Sequence, residues 1–172
     1  YFRGTVDNNY VSFAGFYWRI IRINEDGSVR LIYQGTEPDA TGTAAAISTS
    51  RFNELSHDNA HVGYMYGTAG SNNYVATHTN TNDSTIKKVL DTWYRKNLMK
   101  YSSYLSDAGF CGDRSTAIDV GIWNPYDIAT GYGSDRTYYG AYNRLYNNKQ
   151  PQFSCPQSND LYTTSSSNKG NK

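Results

Sequence analysis

The clearest pattern of apolar and polar positions is FYWRIIRINEDGSVRLIYQG, near the start of the chain. Two runs rich in β-branched and aromatic residues, 17–23 and 28–33, flank NEDG, in which Asp26-Gly27 is a typical hairpin turn. Alternate positions predict one buried face, which carries Trp18, Ile20, Val29, Leu31 and Tyr33. Arg19 and Arg30 belong to the opposite face or to the sheet edge. The pattern therefore predicts a β-hairpin.

The second clear pattern is STIKKVLDTWYRKNLMK, residues 84–100, which predicts an amphipathic helix. Asp83 or Ser84 is a suitable N-cap. The apolar side carries Ile86, Val89, Leu90, Trp93 and Leu98. The solvent side carries Lys87, Lys88, Arg95 and Lys96, and the basic end suits a helix C-terminus. We expect Trp93 to pack in the core, not to contact a ligand.

Elsewhere the pattern is weaker. The segments with a predicted element are 8–15 (a short strand), 57–83 (loop with one or two short strands) and 117–123 (a short strand). Residues 163–172, TTSSSNKGNK, form a low-complexity tail that we expect to be flexible. The sequence thus predicts one α+β domain over residues 1–162, with a twisted, mostly antiparallel sheet, one main helix and long loops rich in Tyr and Asn.

Composition and charge narrow the functional classes. Aromatic residues make up 15% of the 172 residues, and seventeen tyrosines and three tryptophans can supply the burial that aliphatic residues do not. A formal net charge of +1 leaves no electrostatic footprint for nucleic acid, so we expect no nucleic-acid partner. No apolar run approaches the roughly 20 residues that span a bilayer. We therefore expect no direct membrane insertion by this segment.

The two cysteines, Cys111 and Cys155, form no CxxC pair, which argues against a zinc or thioredoxin-like site. They are either a disulfide or two unrelated thiols. The bias towards Tyr, Asn, Ser, Thr and Gly is typical of secreted proteins, in which disulfides persist, and it favours the disulfide.

Candidate catalytic and metal-binding patterns have simpler explanations. His57 and His61 in HDNAH have the spacing of a zinc-protease pair, but no Glu follows the first histidine and the segment is a poor helix, so we expect exposed loop histidines. NEDGS lacks the spaced acids of a calcium loop. Cys111 has no histidine near it in sequence to activate a thiolate, and Cys155 is its simpler partner. We predict no catalytic residues, no metal and no cofactor.

The strongest candidate for a binding surface is the tyrosine-rich segment after residue 125. Tyr, Ser, Gly and Asn are the composition of binding surfaces, because tyrosine combines rigid area with a hydrogen-bonding tip. The candidate ligand-binding residues are Tyr126, Tyr132, Tyr138, Tyr139 and Asn143. A structural interpretation stands beside this one: Tyr138, Tyr142 and Tyr146 recur at helical spacing beside Leu145, which could be a short helix packed on the core. We expect Tyr126 and Tyr132 to lie at the surface.

The order and spacing of several segments resemble one family over nearly the whole chain. The segments are YFRGTVDNNYVSFAGFYWRIIRINEDGSVRLIYQGT, DNAHVGYMYG, VLDTWYRKNL, AGFCGDRS and TYYGAYNRLYNNKQPQFSCPQSNDLYT. The chain is similar to uncharacterised secreted or surface-attached proteins of anaerobic Gram-positive gut bacteria, often with a prepilin-like N-terminus. In these a further segment resembles the C-terminal half of a C-type-lectin-like or formylglycine-enzyme-like module. The resemblance implies an extracellular or cell-surface location, a cysteine pair and an incomplete C-type-lectin-like module.

Three functions follow as hypotheses. The first is a non-enzymatic extracellular recognition or adhesion module that binds host or microbial surface glycans or glycoproteins through Tyr-rich loops. The second is a structural subunit of a surface fibre or pilus-associated assembly, in which tyrosines pack against neighbouring subunits. The third is a carbohydrate-active enzyme without a recognisable motif, for which the sequence offers no positive sign.

Overall fold

The predicted hairpin is the centre of a three-stranded antiparallel sheet. The computed structural model of the chain describes residues 6–106, 109–117, 130–150 and 154–162. The strands of the sheet are β1 (Tyr10–Phe13), β2 (Phe16–Ile23) and β3 (Val29–Gly35), in the spatial order β1-β2-β3. Both the hairpin and the short strand before it are confirmed, within a few residues of their predicted bounds.

The remaining elements are short, apart from one helix. The two-residue strands are β4 (Met65–Tyr66), β5 (Asn82–Asp83), β6 (Phe110–Cys111) and β7 (Leu161–Tyr162), and β4 pairs with β5 and β6 with β7. The α-helices are α1 (Tyr74–Thr77), α2 (Thr85–Asn97) and α3 (Gly140–Tyr142). Short 3₁₀ segments lie at Gly42–Ala45, Asn59–Val62, Met99–Tyr104 and Ser158–Asp160, and a π-helical turn lies at Asn143–Asn147. The broad α+β class is therefore correct.

The described residues group into two compact units. The first takes its residues from Tyr1–Ser50 and Val89–Ser106, and the second from Arg51–Lys88 and Asp107–Lys172. The single domain over residues 1–162 stays a prediction. The predicted tail, 163–172, and all but the first residue of the predicted strand 117–123 lie outside the described residues.

Tight turns set the register of the three-stranded sheet. Between β1 and β2, Ala14 and Gly15 have positive φ angles of 57° and 83°, the geometry of a two-residue turn that follows the strand twist. Between β2 and β3, the Asp26 carboxylate accepts hydrogen bonds from the hydroxyl and the backbone N–H of Ser28, at 2.6 and 2.9 Å. These bonds lower the pKa of Asp26, because they stabilise its charged form.

Four aromatic rings hold α2 against the sheet within the first unit. Trp93 lies 5.2 Å from Phe16, 5.5 Å from Tyr33 and 6.3 Å from Trp18, measured between ring centroids. The indole N–H of Trp18 donates to the Phe13 carbonyl at 2.9 Å, so this polar group is satisfied inside the cluster. The predicted packing of Trp93 in the core is confirmed.

The helix α2 begins where the sequence predicts but ends at Asn97 instead of residue 100. Ser84 is the N-cap, because its hydroxyl oxygen accepts from the Lys87 backbone N–H at 3.2 Å. At the other end, the Asn97 side-chain amide donates to the Trp93 carbonyl at 2.8 Å. The chain then tightens into the 3₁₀ turn Met99–Tyr104, a common way to end an α-helix.

The prediction that Lys87 faces solvent is wrong. Lys87 is only 7% exposed, and its ammonium lies 3.2 Å from the Asp83 carboxylate and 6.0 Å from the centroid of the Tyr64 ring. Periodicity assigns one buried face to a helix, whereas the first turn of α2 is also covered by the segment that contains Tyr64. The other predicted solvent-facing cations, Lys88, Arg95 and Lys96, are exposed.

The interior of the second unit is organised by a buried ion pair. Arg114 is 2% exposed and Asp160 is fully buried. The Arg114 guanidinium and its backbone N–H each donate to the Asp160 carboxylate, at 2.5 Å. The remaining guanidinium donors reach the Met65 carbonyl at 3.0 Å, the Asn80 side chain at 3.2 Å and the Asn159 carbonyl at 3.3 Å. A second ion pair joins Arg144 to Asp113.

The predicted disulfide between Cys111 and Cys155 is present, with Cα atoms 5.5 Å apart. Cys111 ends β6, and its register partner in β7 is Leu161. The disulfide and the β6–β7 pairing therefore connect the same two parts of the chain that Arg114 and Asp160 join. In the loop-closure model, a bridge across 44 residues stabilises the fold by about 4 kcal/mol.

Replacing Trp93 with Ala should lower the free energy of unfolding by about 3 kcal/mol, because it removes the ring shared by three aromatic neighbours. Urea denaturation followed by tryptophan fluorescence and far-UV circular dichroism measures this loss. Tyr104→Ala is the matched control, since that ring is 78% exposed in the same unit and should change stability by less than about 0.5 kcal/mol. Equal effects of the two variants would contradict the aromatic cluster as the stabilising contact.

Replacing Asp160 with Asn should cost about 3–5 kcal/mol, because it leaves the Arg114 guanidinium buried without a counter-charge. The double variant Arg114→Met/Asp160→Leu should be more stable than Asp160→Asn, since it removes both charges together. Asp135→Asn, an exposed carboxylate of the same unit, is the control. A double variant less stable than the single one would show that the hydrogen bonds, not the paired charges, dominate at this site.

Candidate functional site

A cleft of about 530 Å³ opens on the second unit and is the best candidate for a ligand site. Three stretches of chain form its walls. The lining residues are Leu55, His57 and Asp58 from the first stretch, Gly70 and Asn72 from the second, and Tyr132, Gly133, Ser134 and Asp135 from the third. Small-molecule sites in proteins occupy about 300–1,000 Å³, so the cleft has the size of a small-ligand site.

The third wall is held in place by one buried amide, that of Asn59. Its side-chain nitrogen donates to the carbonyls of Tyr132, Gly133 and Asp135, at 2.9, 3.0 and 2.8 Å. Its side-chain oxygen accepts from the Tyr139 hydroxyl at 2.8 Å. The backbone N–H of Asn59 also donates to the Gly133 carbonyl, at 2.9 Å. One residue therefore fixes the loop that carries Tyr132.

Asp58 connects the first wall to the second. One oxygen of its carboxylate accepts from the Ala60 backbone N–H at 2.9 Å, which caps the 3₁₀ turn Asn59–Val62. The other oxygen accepts from the Gly70 backbone N–H at 2.8 Å. A carboxylate with both oxygens engaged has a fixed direction at the cleft, and its unused lone pairs remain as acceptors.

The second wall leads into α1, whose ring packing also supports the third wall. The Tyr74 hydroxyl and the Gln157 side-chain amide are 2.9 Å apart. Gly131 has a φ of 67°, and a Cβ there would lie 2.7 Å from the Tyr74 ring, so only glycine fits this close approach. The loop before Tyr132 thus rests directly on Tyr74.

His78 follows α1 as a buried, neutral ring. It stacks on Tyr74, with centroids 4.1 Å apart, and its Nδ1 lies 2.9 Å from the Tyr74 carbonyl, which makes Nδ1 the protonated nitrogen. Burial lowers the pKa of His78, and the positive charge of Arg114 acts in the same direction, while the bond to Tyr74 and the charge of Asp160 oppose it. Nε2 has no hydrogen-bond partner among the described residues.

The structure separates the tyrosines predicted to bind ligand. Tyr132 lines the cleft. Tyr139 serves the fold through its bond to Asn59, and burial raises its pKa well above the ordinary value. Tyr138 lies under Arg136, whose guanidinium carbon is 4.8 Å from the ring centroid. Asn143 begins the π-helical turn Asn143–Asn147, and Tyr126 lies outside the described residues.

The alternative interpretation, a short helix packed on the core through its tyrosines, is only half correct. The helical turns exist, as α3 and Asn143–Asn147. Their tyrosines do not provide the packing, because Tyr142 and Tyr146 are 57% and 68% exposed. The two rings stack on each other instead, with centroids 5.0 Å apart. Arg144, in the same segment, is buried.

Most of the cleft is formed by residues that the sequence pattern does not single out. Asp58, Asn72 and Asp135 lie in loops without periodicity, and each could be an ordinary solvated side chain. His57 is exposed, as predicted, but it lies at the cleft. His61 is half-buried against Tyr66, at 4.7 Å, so the prediction that it is exposed is wrong. The sequence signal that points to the cleft is the composition of the segment that contains Tyr132, which is rich in Tyr with Gly, Ser and Asn.

Within the residues that the structure describes, no group of three or more His, Cys, Asp or Glu side chains is placed to hold a metal ion. None of the helices described there is both long and apolar enough to cross a bilayer.

Comparison with known proteins yields no matching family model, no matching curated protein and no matching solved structure.

Replacing Asn59 with Ala should release the loop around Tyr132, because it removes the side-chain amide that bonds to three carbonyls of the loop and to the Tyr139 hydroxyl. We expect amide hydrogen exchange in residues 130–136 to rise by about tenfold or more, the equivalent of about 1.4 kcal/mol of lost local stability. Exchange mass spectrometry of the whole chain measures this. Asn72→Ala, at an exposed amide of the same cleft, is the control, and equal exchange in both variants would contradict the role of Asn59.

Proposed function

We propose that this chain is a non-enzymatic extracellular recognition module that binds glycans in the cleft around Tyr132. The observation that carries the proposal is that Tyr132 lines the cleft, together with Asp58 and Asn72, on a wall whose backbone is held by Asn59. Adhesion to host or microbial surface glycans is the role that this binding would serve.

The chemistry of the lining suits a sugar. A sugar ring presents an apolar face of C–H groups and a rim of hydroxyls. An aromatic ring carries negative charge on its face and attracts such C–H groups, while carboxylate and amide oxygens accept hydrogen bonds from the hydroxyls. Because Asp58 and the loop of Tyr132 are held by internal hydrogen bonds, little side-chain order has to be gained on binding.

The extracellular location is supported by the Cys111–Cys155 disulfide, since disulfides persist in oxidising compartments. The resemblance to surface proteins of gut bacteria supports the same location. As part of the proposal, the chain belongs to a C-type-lectin-like module, which the same resemblance supports.

A second candidate function is a structural subunit of a surface fibre or pilus-associated assembly. The observation that favours it is the exposed pair of Tyr142 and Tyr146, with Leu145 between them at 60% exposure. Large apolar side chains exposed next to one another are common at protein interfaces. Concentration-dependent assembly that Tyr146→Ala abolishes, without any glycan binding, would favour this second function over the first.

The test is binding of the whole chain to immobilised mucin-type glycoprotein and to a glycan array. Tyr132→Ala should weaken binding by about tenfold or more, because a central aromatic anchor contributes about 2 kcal/mol at a binding site. Tyr146→Ala is the matched control, since it removes an exposed tyrosine outside the cleft and should leave binding unchanged.

Two further measurements separate loss of binding from loss of folding and from catalysis. The melting temperature of Tyr132→Ala should stay within a few degrees of the parent, so that loss of binding is not loss of folding. The recovered glycan should be chemically unchanged. A shortened glycan would show that the chain cleaves glycans, so that the chain would be an enzyme and not a recognition module. Binding that is equal for the parent and Tyr132→Ala would overturn the proposal.

A further inference from the structure

The cleft is lined by acidic side chains and by no lysine or arginine among the described residues. The acidic residues are Asp58 and Asp135. His57 is the one side chain there that can become positive. The lining therefore presents up to two negative charges at neutral pH, in a chain whose formal net charge is +1.

Three arginines of this unit make contacts with other residues of the unit. Arg114 is paired with Asp160, and Arg144 with Asp113, both in the interior. Arg136 follows Asp135 in sequence, but its guanidinium lies over the Tyr138 ring, with 4.8 Å between the guanidinium carbon and the ring centroid. Two of these cations are therefore neutralised by interior carboxylates, and the third has an aromatic contact of its own.

The acidic groups differ in how firmly they are placed. The Asp58 carboxylate is held by the backbone N–H groups of Ala60 and Gly70, so it cannot turn away from an incoming group without breaking those bonds. Asp135 is exposed, and its backbone carbonyl is bound by Asn59, which holds its position in the loop beside Tyr132. An anionic substituent entering the cleft would meet one fixed and one nearby carboxylate.

From this charge distribution we infer that the cleft selects neutral sugars, with hydroxyl or acetamido groups, over sugars that carry a carboxylate or a sulfate. The inference rests on the proposed function, because it presupposes that a glycan occupies the cleft. Neutral sugars can donate hydroxyl hydrogens to the carboxylates, whereas an acidic sugar brings a like charge to within several ångströms of Asp58 and Asp135. Like charges at a binding site are an established source of discrimination between ligands.

The experiment compares binding of the whole chain to one mucin-type glycoprotein before and after enzymatic removal of its sialic acids and sulfates. Binding is measured at about pH 8, where histidine side chains are ordinarily neutral. We expect at least about tenfold tighter binding to the neutral form at low salt, and a smaller ratio at about 0.5 M salt, because salt screens charge repulsion at an open cleft.

Asp135→Asn tests the assignment to the cleft. This variant should lower the ratio of neutral to acidic binding by several-fold, because it removes the charge that repels the acidic form and keeps a side-chain oxygen that accepts from hydroxyl groups. Glu25→Gln, which removes an exposed carboxylate in the turn of the first unit, is the matched control and should leave the ratio unchanged. Asp58 is left intact, because its carboxylate also holds two loops.

The outcomes separate this inference from the proposed function. Equal binding of both forms, or preference for the acidic form, overturns the inference, while loss of that binding in Tyr132→Ala still supports the proposed function. The same holds if Asp135→Asn and Glu25→Gln change the ratio equally. Absence of Tyr132-dependent glycan binding overturns both. Tyr132-dependent binding of polylysine without glycan binding would also overturn both, and it would indicate a cationic protein ligand.

Discussion

The second unit depends on the buried pairing of Arg114 with Asp160. A guanidinium and a carboxylate can leave water together only if their remaining hydrogen-bonding groups are satisfied, and here they reach the backbone of Met65 and Asn159 and the side chain of Asn80. The pair thereby determines where four separate parts of the chain meet. The disulfide joins two of the same parts. Few apolar side chains are buried among the described residues of this unit, so directional contacts replace a conventional hydrophobic core.

The same physical solution is repeated at the cleft. Loops without regular secondary structure do not pair their carbonyls within a helix or a sheet, and the buried side-chain amide of Asn59 donates to three of them. The Asp58 carboxylate accepts hydrogen bonds from two backbone N–H groups in the same way. These bonds explain why a segment made largely of Tyr, Gly, Ser and Asn can hold a defined shape. They also leave Tyr132 as an aromatic surface on a supported wall, which is the basis of the proposed glycan site.

The tyrosines illustrate that one residue type has several uses in a single fold. Tyr139 directs its hydroxyl inwards to Asn59, Tyr74 supports the turn at Gly131, and Tyr142 stacks on Tyr146 at the surface. Composition alone treats these positions as equivalent. The difference among them comes from what each ring contacts, and only Tyr132 among the described candidates contacts the cleft.

The sequence by itself determined the elements whose cause is local: the β2–β3 hairpin, through strand alternation and the Asp26-Gly27 turn, and α2, through its 3.6-residue period and its Ser84 cap. It also indicated the cysteine pairing, because only one pairing was available. The tertiary structure decided the rest. Lys87 is buried because another segment covers its turn, and Arg114 finds Asp160 across 46 positions, as Asn59 finds Tyr132 across 73. Such pairings leave no periodic trace in a sequence, since their partners become neighbours only when the loops between them close.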